Sequence, residues 1–264
     1  MAPLLVKDGA KPSTMKVKSP TRSILYTQIQ ELLINGKFQA LCNFIDTSIA
    51  KHDVSVLADI NSALSKPSML RILISKILKN EDCFQITCSN SYCHENGFHK
   101  IVLLKGENFK LRLHHFGITG KAAMENIHDH RWPFASSILK GNLHMEFFEL
   151  NNNSEDGELL LHHIYNSDKS SGSYEASLNG VARLKQIKKV IFSEGSTYLL
   201  LPQELHRIIN NEQQESITLI LTGMPVSESC NLYSRRTLTV AEKQTPNYSE
   251  STLRSHLQMI LKYI

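Results

Sequence analysis

Apolar residues recur every three or four positions in the first third of the chain and every second position after it. Ile24, Leu25, Ile29, Leu32 and Leu33 mark one face of a helix, and Gly36 stands where a C-terminal stop belongs. Phe38 to Ile49 repeats the period. Ser68 to Leu78 carries Met69, Leu70, Ile72, Leu73, Ile77 and Leu78 behind Pro67, a residue suited to the first helical turn. This predicts a helical cap over 23–80. From about residue 83 the period is two. The segments are Cys83–Cys88, Lys100–Leu104, Phe109–Phe116, Ala135–Leu139, Leu143–Leu150, Glu158–Tyr165, Lys188–Phe192, Ser196–Leu200, Arg207–Asn210 and Ser216–Thr222. Turn-formers such as Lys105-Gly106-Glu107-Asn108 and Glu194-Gly195 separate them. Serial short strands predict a mainly β, antiparallel sandwich or barrel over 81–240, not a parallel βαβ sheet. The polar, Ser- and Gly-rich residues 166–180 read as a surface insertion. Leu253 to Ile264 predicts a short amphipathic helix within 241–264. Residues 1–22, broken by Pro3, Pro12 and Pro20, read as a disordered tail.

Composition narrows the classes. Lys and Arg number 29 against 25 Asp and Glu, a net charge of +4 over 264 residues, so no basic excess argues for nucleic acid or an anionic membrane. No apolar run approaches the ~18 residues that a membrane span needs. No charged n-region precedes an apolar core at the N-terminus, so no secretory signal is expected. The five cysteines, Cys42, Cys83, Cys88, Cys93 and Cys230, form no CxxC pair. They read as reduced thiols in a cytoplasmic protein. The unusual figure is 12 histidines, the side chain that most often binds metals.

Their placement matters more than their number. In Asn126-Ile127-His128-Asp129-His130-Arg131-Trp132-Pro133-Phe134, the two histidines stand two apart. On a strand such residues share a face, so both imidazoles can reach one metal while Asp129 points away. Downstream, Gly195 to Asn210 carries Pro202, His206 and Asn210.

Together these segments resemble the two motifs of the cupin superfamily. His128, His130 and Gly141 fit the first, with Phe134 in its Glu position and Gly120 too far upstream for its leading glycine. Gly195, Pro202, His206 and Asn210 fit the second, with Glu204 in place of its inner glycine. The resemblance implies a jelly-roll barrel with an N-terminal helical segment. It also implies a metal held by His128, His130 and His206. Nitrogen-rich ligation without thiolate suits Fe(II) first, with Zn, Ni, Mn or Cu as other candidates. Within the superfamily the local likeness is to the three-histidine thiol dioxygenases. There Lys100 falls near the arginine that holds a substrate carboxylate. Those enzymes carry Ser, His and Tyr at alternate positions of a strand after the third ligand. Here that strand reads Thr218, Ile220 and Thr222, so free cysteine is expected to be a poor substrate.

Other residues stay open at this point. Phe109–Phe116 sets Lys110, Arg112, His114 and Phe116 on one face and Phe109, Leu111, Leu113 and His115 on the other. If the first face lines a barrel, Arg112 and His114 could bind an anionic substrate; if not, they are surface residues. Tyr198, and His144 with Glu146, are equally ambiguous between pocket and packing. Trp132 and Phe134 could wall off water. Cys88, Cys93, His94 and His99 match no standard zinc spacing, and His162-His163 reads as exposed.

The sequence thus predicts a non-haem Fe(II) oxygenase or dioxygenase acting on a small polar metabolite with O₂. Lys100, Arg112, His114 and Trp132 are expected to meet substrate, and Arg112 and Tyr198 to serve catalysis. A monomer or homodimer is expected, with no nucleic-acid or membrane partner. A ligand-binding cupin without turnover, and a redox-neutral isomerase or lyase, are the alternatives.

Overall fold

The computed structural model describes residues 22–94, 96–117, 123–151, 155–167, 174–210, 214–238 and 248–264. The tail read over 1–22 lies outside them except for Arg22. So do Gly120 and residues 168–173 of the polar segment. Five helices come first: α1 (Arg22–Ile34), α2 (Phe38–Lys51), α3 (Val56–Leu64), α4 (Pro67–Lys79) and α5 (Glu81–Asn90). Strands follow: β1 (Tyr92–His94), β2 (Phe98–Lys105), β3 (Lys110–Phe116), β4 (Ala123–Met124), β5 (Ile127–His128), β6 (Phe134–Lys140), β7 (Asn142–Leu150), β8 (Glu158–Ser167), β9 (Tyr174–Ser193), β10 (Thr197–Leu200), β11 (Leu205–Asn210), β12 (Ser216–Thr222) and β13 (Ser229–Ser234). Helix α6 (Glu250–Tyr263) ends the chain. No helix among the described residues is long and apolar enough to cross a membrane.

Local chemistry accounts for the helix ends. Gly36 adopts φ +66°, open to glycine without strain, and Lys37 N–H closes α1 on the Leu32 carbonyl at 2.9 Å. Pro67 occupies the first turn of α4. The predicted strand Cys83–Cys88 is instead the body of α5. The Asn80 side chain caps it by accepting the Cys83 N–H at 2.9 Å, and Glu81 and Asp82 sit in its first turn. Phe84, Thr87 and Cys88 are its buried residues, a helical spacing that outweighs the short alternation.

The strands form two antiparallel sheets. One is ordered β1-β2-β3-β12-β6-β10. The other is ordered β4-β11-β5-β13-β8-β9-β7, and its pairing returns from β7 to β11. The mainly β antiparallel architecture predicted from the period of two is the one observed. Strand β9 is far longer than the predicted Lys188–Phe192. Its first half pairs with β8 and its second with β7, so most of the described part of the polar 166–180 segment is regular sheet.

The first sheet is buried on both faces. Outward, Ile101, Leu103, Leu111, Leu113, Ile217, Leu219 and Leu221 share one core with the helices. Burying a Leu or Ile side chain is worth ~1.5–3 kcal/mol, so this layer fastens the helical cap. Asn61 of α3, fully buried, ties the same interface by donating to Ser137 Oγ at 2.9 Å and to the Leu219 carbonyl at 3.1 Å. Inward, the same strands turn Arg112, His114, Phe116, Thr218, Ile220 and Thr222 toward a cavity that the second sheet closes from the other side.

Candidate metal centre

His128, His130 and His206 come together at the cavity wall, each offering a ring nitrogen, and the three nitrogens lie within 4.8 Å of one another. They are the only such group of metal-ligating side chains found among the described residues. Strand pairing brings them there. His206 on β11 is the register partner of His128 on β5, and His130 follows β5 by two residues. Their ring centroids are 4.6 to 5.0 Å apart.

The approach to His206 is set by a tight turn. Glu204 accepts the Leu201 N–H through its carboxylate at 2.6 Å and donates its own N–H to the Leu201 carbonyl at 3.2 Å. The carboxylate at the inner-glycine position therefore closes the turn that launches β11. His130 is held from the same corner, donating its backbone N–H to the Pro202 carbonyl at 3.1 Å.

The donor set fits a divalent metal. His128 Nδ1 donates to the Asn126 carbonyl at 2.9 Å, and His206 Nδ1 donates to the Glu204 carbonyl at 2.9 Å. In a neutral ring this leaves Nε2 as a lone pair and fixes the ring's aim. Burial holds His130 far below the ordinary imidazole range, with the charges of His128 and His206 adding to it. Burial, then His128, lowers His206 to about 3. Both are thus neutral near pH 7, the form that binds a metal. The Phe134 ring meets His130 edge-on at 5.0 Å, and it is buried.

The cavity beyond the triad measures about 470 Å³, the size of a small-molecule site. Lys100, Arg112, His114, Trp132 and Tyr198 all line it. The ambiguity of β3 is thereby resolved: Arg112 and His114 face inward, while Leu111, Leu113 and His115 pack beneath the helices. A polar row crosses the wall through the paired residues Tyr92, Lys100, His114 and Thr218. Lys100 Nζ donates to Tyr92 Oη at 2.8 Å. His114 Nε2 and Thr218 Oγ1 are buried without a protein hydrogen-bond partner. Trp132 is flanked by two guanidinium groups, Arg112 at 5.6 Å and Arg131 at 4.9 Å. Tyr198 stacks on Phe192 at 4.1 Å, and burial pushes its phenol up, against the opposing effect of the nearby Ser136 hydroxyl.

Several candidates lie elsewhere. Glu146 is buried in an ion cluster with Arg207 and Lys189, both at 2.7 Å, and neither it nor His144 lines the large cavity. His163, expected to be exposed, is fully buried and accepts the Leu238 N–H at 3.3 Å. His162 stacks on Tyr233 at 4.7 Å. Strand β13 pairs over both, a partner that the sequence pattern did not reveal. Cys88, Cys93, His94 and His99 do not converge. The Cys88 thiol bonds the Tyr248 carbonyl, and His94 stacks on Phe98 in the cavity. Sequence reasoning missed Glu125, a buried carboxylate on the cavity wall. It accepts from Asn96 Nδ2 at 3.1 Å and from the Ile208 N–H at 3.2 Å. It stands three residues before His128, outside any spacing that marks a site.

No protein-family model and no curated protein sequence matches the chain. Among solved structures, the expected likeness to cupins is found. An RmlC-like cupin from Shewanella frigidimarina is 12% identical over 52% of this chain and 86% of its own, with a TM-score of 0.31. A double-stranded β-helix protein from Klebsiella pneumoniae is 10% identical over 53% and 88%, with a TM-score of 0.30. A hydroquinone 1,2-dioxygenase from a Sphingomonas species, with 4-hydroxybenzoate bound, is 11% identical over 53% and 71%, with a TM-score of 0.29. The two-sheet architecture stands on its own strand pairing.

Proposed function

We propose that this chain is a metal-dependent enzyme of the cupin type, a non-haem Fe(II) oxygenase acting on a small polar molecule that carries an anionic group. The observation that supports the reading is the convergence of three imidazoles, two of them aimed by backbone carbonyls, at the wall of a cavity that can admit a small molecule. His128, His130 and His206 would hold the metal. Three histidine ligands with no carboxylate in the group leave coordination positions free. Fe(II), when bound, would bring substrate and O₂ together and supply the electrons that dioxygen takes one at a time.

The chain's own residues do the rest. Lys100 and Arg112 bring positive charge to one wall, and the His114 and Thr218 side chains on the same sheet gain hydrogen-bond partners from an anionic oxygen. Trp132 and Phe134 exclude water beside the ligands. Buried Tyr198 keeps its proton at neutral pH and serves as a donor at its phenolic oxygen. Arg112 serves both binding and catalysis, since it lines the cavity and lies over Trp132.

The test is metal analysis of protein purified without oxygen, followed by oxygen uptake against a panel of small carboxylates and polar metabolites. One equivalent of iron and substrate-dependent uptake support the proposal. Absence of any transition metal bound with stoichiometry above one half would sink it. A redox-neutral lyase or isomerase reaction is favoured by one observation, the buried carboxylate of Glu125 on the same wall. Turnover without oxygen consumption would select it.

A further inference from the structure

A second group of histidines lies on the outward face of the first sheet, away from the cavity. His99 on β2 and His115 on β3 are register partners, and His256 descends on them from α6. His115 is fully buried and His256 is 7% exposed. His115 Nδ1 lies 2.8 Å from His256 Nε2, and His115 Nε2 lies 2.7 Å from Glu215 Oε1. Glu215 Oε2 accepts from Lys140 Nζ at 2.6 Å. The His99 ring meets His256 edge-on at 4.7 Å and stacks on Tyr248 at 5.4 Å.

The hydrogen bonds dictate the protons. An ionised Glu215 only accepts, so His115 Nε2 carries the hydrogen it shares with the carboxylate. Neutral His115 then has a lone pair on Nδ1, and His256 Nε2 must donate to it. One added proton can be placed without losing the His115–His256 bond. A second puts hydrogens on both facing nitrogens, and the bond becomes a repulsion.

We propose that this cluster is an acid-released latch: it fastens the C-terminal helix to the barrel at neutral pH and lets α6 go in acid while the barrel stays folded. Three imidazoles share one carboxylate, and that carboxylate already serves Lys140. The other charged or titratable groups at the interface are engaged elsewhere. Arg254 of α6 donates to the Leu78 carbonyl at 3.0 Å and reaches Glu81 of α5 at 3.5 Å. Cys88 of α5 bonds the Tyr248 carbonyl. Tyr263 lies under Lys140 at 3.4 Å, and Glu250 stands in the helix's first turn near Cys88. The charges acting on His256 are those of His99, His115 and Glu215.

The sign follows from burial. It lowers His99 to about 4 and His256 to about 3, and it lowers His115 as well, all from an ordinary 6.5. Groups lowered in the docked state bind more protons once released, so docking is complete above pH 6.5 and weakens as pH falls below it. By pH 5 the release constant rises about 30-fold for each imidazole that regains its ordinary value. Local opening of one helix needs less free energy than global unfolding, so α6, which carries His256, is the element that responds.

Hydrogen–deuterium exchange of the full chain at pH 7.2 and pH 5.2, corrected for intrinsic rates, tests this. The expected result is at least a tenfold loss of protection across α6, with protection in β3 and β12 retained. In His256→Leu one of the linked imidazoles is gone, so the loss of α6 protection between the two values should be clearly smaller. Unchanged protection of α6, loss of α6 and barrel protection together, or an equal response in His256→Leu would each overturn the latch. Should His256→Leu fail to fold, Glu215→Gln decides. It keeps an acceptor for His115 but removes the carboxylate that favours charged imidazoles in the docked state, so the release midpoint should rise. An unmoved midpoint overturns the proposal.

Discussion

His128 and His206 owe their aim to carbonyl groups two residues upstream, Asn126 and Glu204, so each ligand is oriented by its own strand end. Removing one of three ligands should cost several kcal/mol of metal affinity, because no fourth ligand is among the group. His128→Ala and His206→Ala are therefore expected to lose stoichiometric metal and keep the wild-type far-ultraviolet spectrum. Full occupancy in both would reject the centre. On β12, Thr218, Ile220 and Thr222 all face the cavity, and none offers the imidazole or phenol that a thiol dioxygenase places there. Loss of such outer partners commonly costs about 10–100-fold, so iron-loaded protein should oxidise free cysteine poorly. Efficient sulfinate formation would contradict this. Gly141 shows a third residue-level constraint. It has φ +73°, and a Cβ there would lie 2.3 Å from the Glu215 carbonyl oxygen. Gly141→Ala should lower stability by about 1–3 kcal/mol in urea titrations; an unshifted midpoint would show that the β6–β7 turn can relax.

Elements are fastened by few polar bonds and much apolar contact. Asn61 links α3 to β6 and β12 in a buried interface whose remaining contacts are mostly Leu and Ile. Asn61→Ala strips Ser137 and the Leu219 carbonyl of a donor and should cost about 1–3 kcal/mol. Unfolding midpoints read this, and the m-value should stay constant if only the docking changes. Strand β12 shows why the first sheet lies between helices and cavity. It is buried along its whole length, and its alternation is leucine and isoleucine outward, threonine twice inward. Leu159, Val181, Ile187 and Ile191 of the second sheet remain exposed on β8 and β9.

The whole molecule should be acid-sensitive for two reasons of the same sign. Histidines lowered by burial, His99, His114, His115 and His256 among them, are neutral when folded and take up protons on unfolding. Their effect begins below 6.5 and grows as pH falls toward the lowered values. For Glu146, burial raises the carboxyl, but hydrogen bonds and charge from Lys189 and Arg207 outweigh it and lower it overall. Its contribution is present above the ordinary carboxylate range and is lost as pH falls through the lowered value. Metal-free protein should therefore show a falling urea midpoint from pH 7 to pH 5, before the carboxylate effect sets in. A flat profile over that interval would show that these imidazoles take up protons in the fold as they do in the unfolded chain.

Periodicity alone carried α1, α2, α4, α6 and most strands, because an apolar face must match the repeat of its element. It placed His128, His130 and His206 as one set through spacing and family resemblance. It misassigned α5, where a single Asn80 cap and two acidic residues decide a short segment. It read 166–180 as an insertion, because an exposed strand in a one-sided sheet is polar on half its length. Two matters were settled only in three dimensions. One is which face of β3 looks inward, since Arg112-x-His114 and Leu113-x-His115 alternate alike in sequence and only the helices packed on one face tell them apart. The other is the meeting of His99, His115 and His256. These lie on β2, β3 and α6, and His115 and His256 are 141 residues apart in the chain. No local pattern encodes such a contact: it follows from the docking of a terminal helix on the back of a sheet.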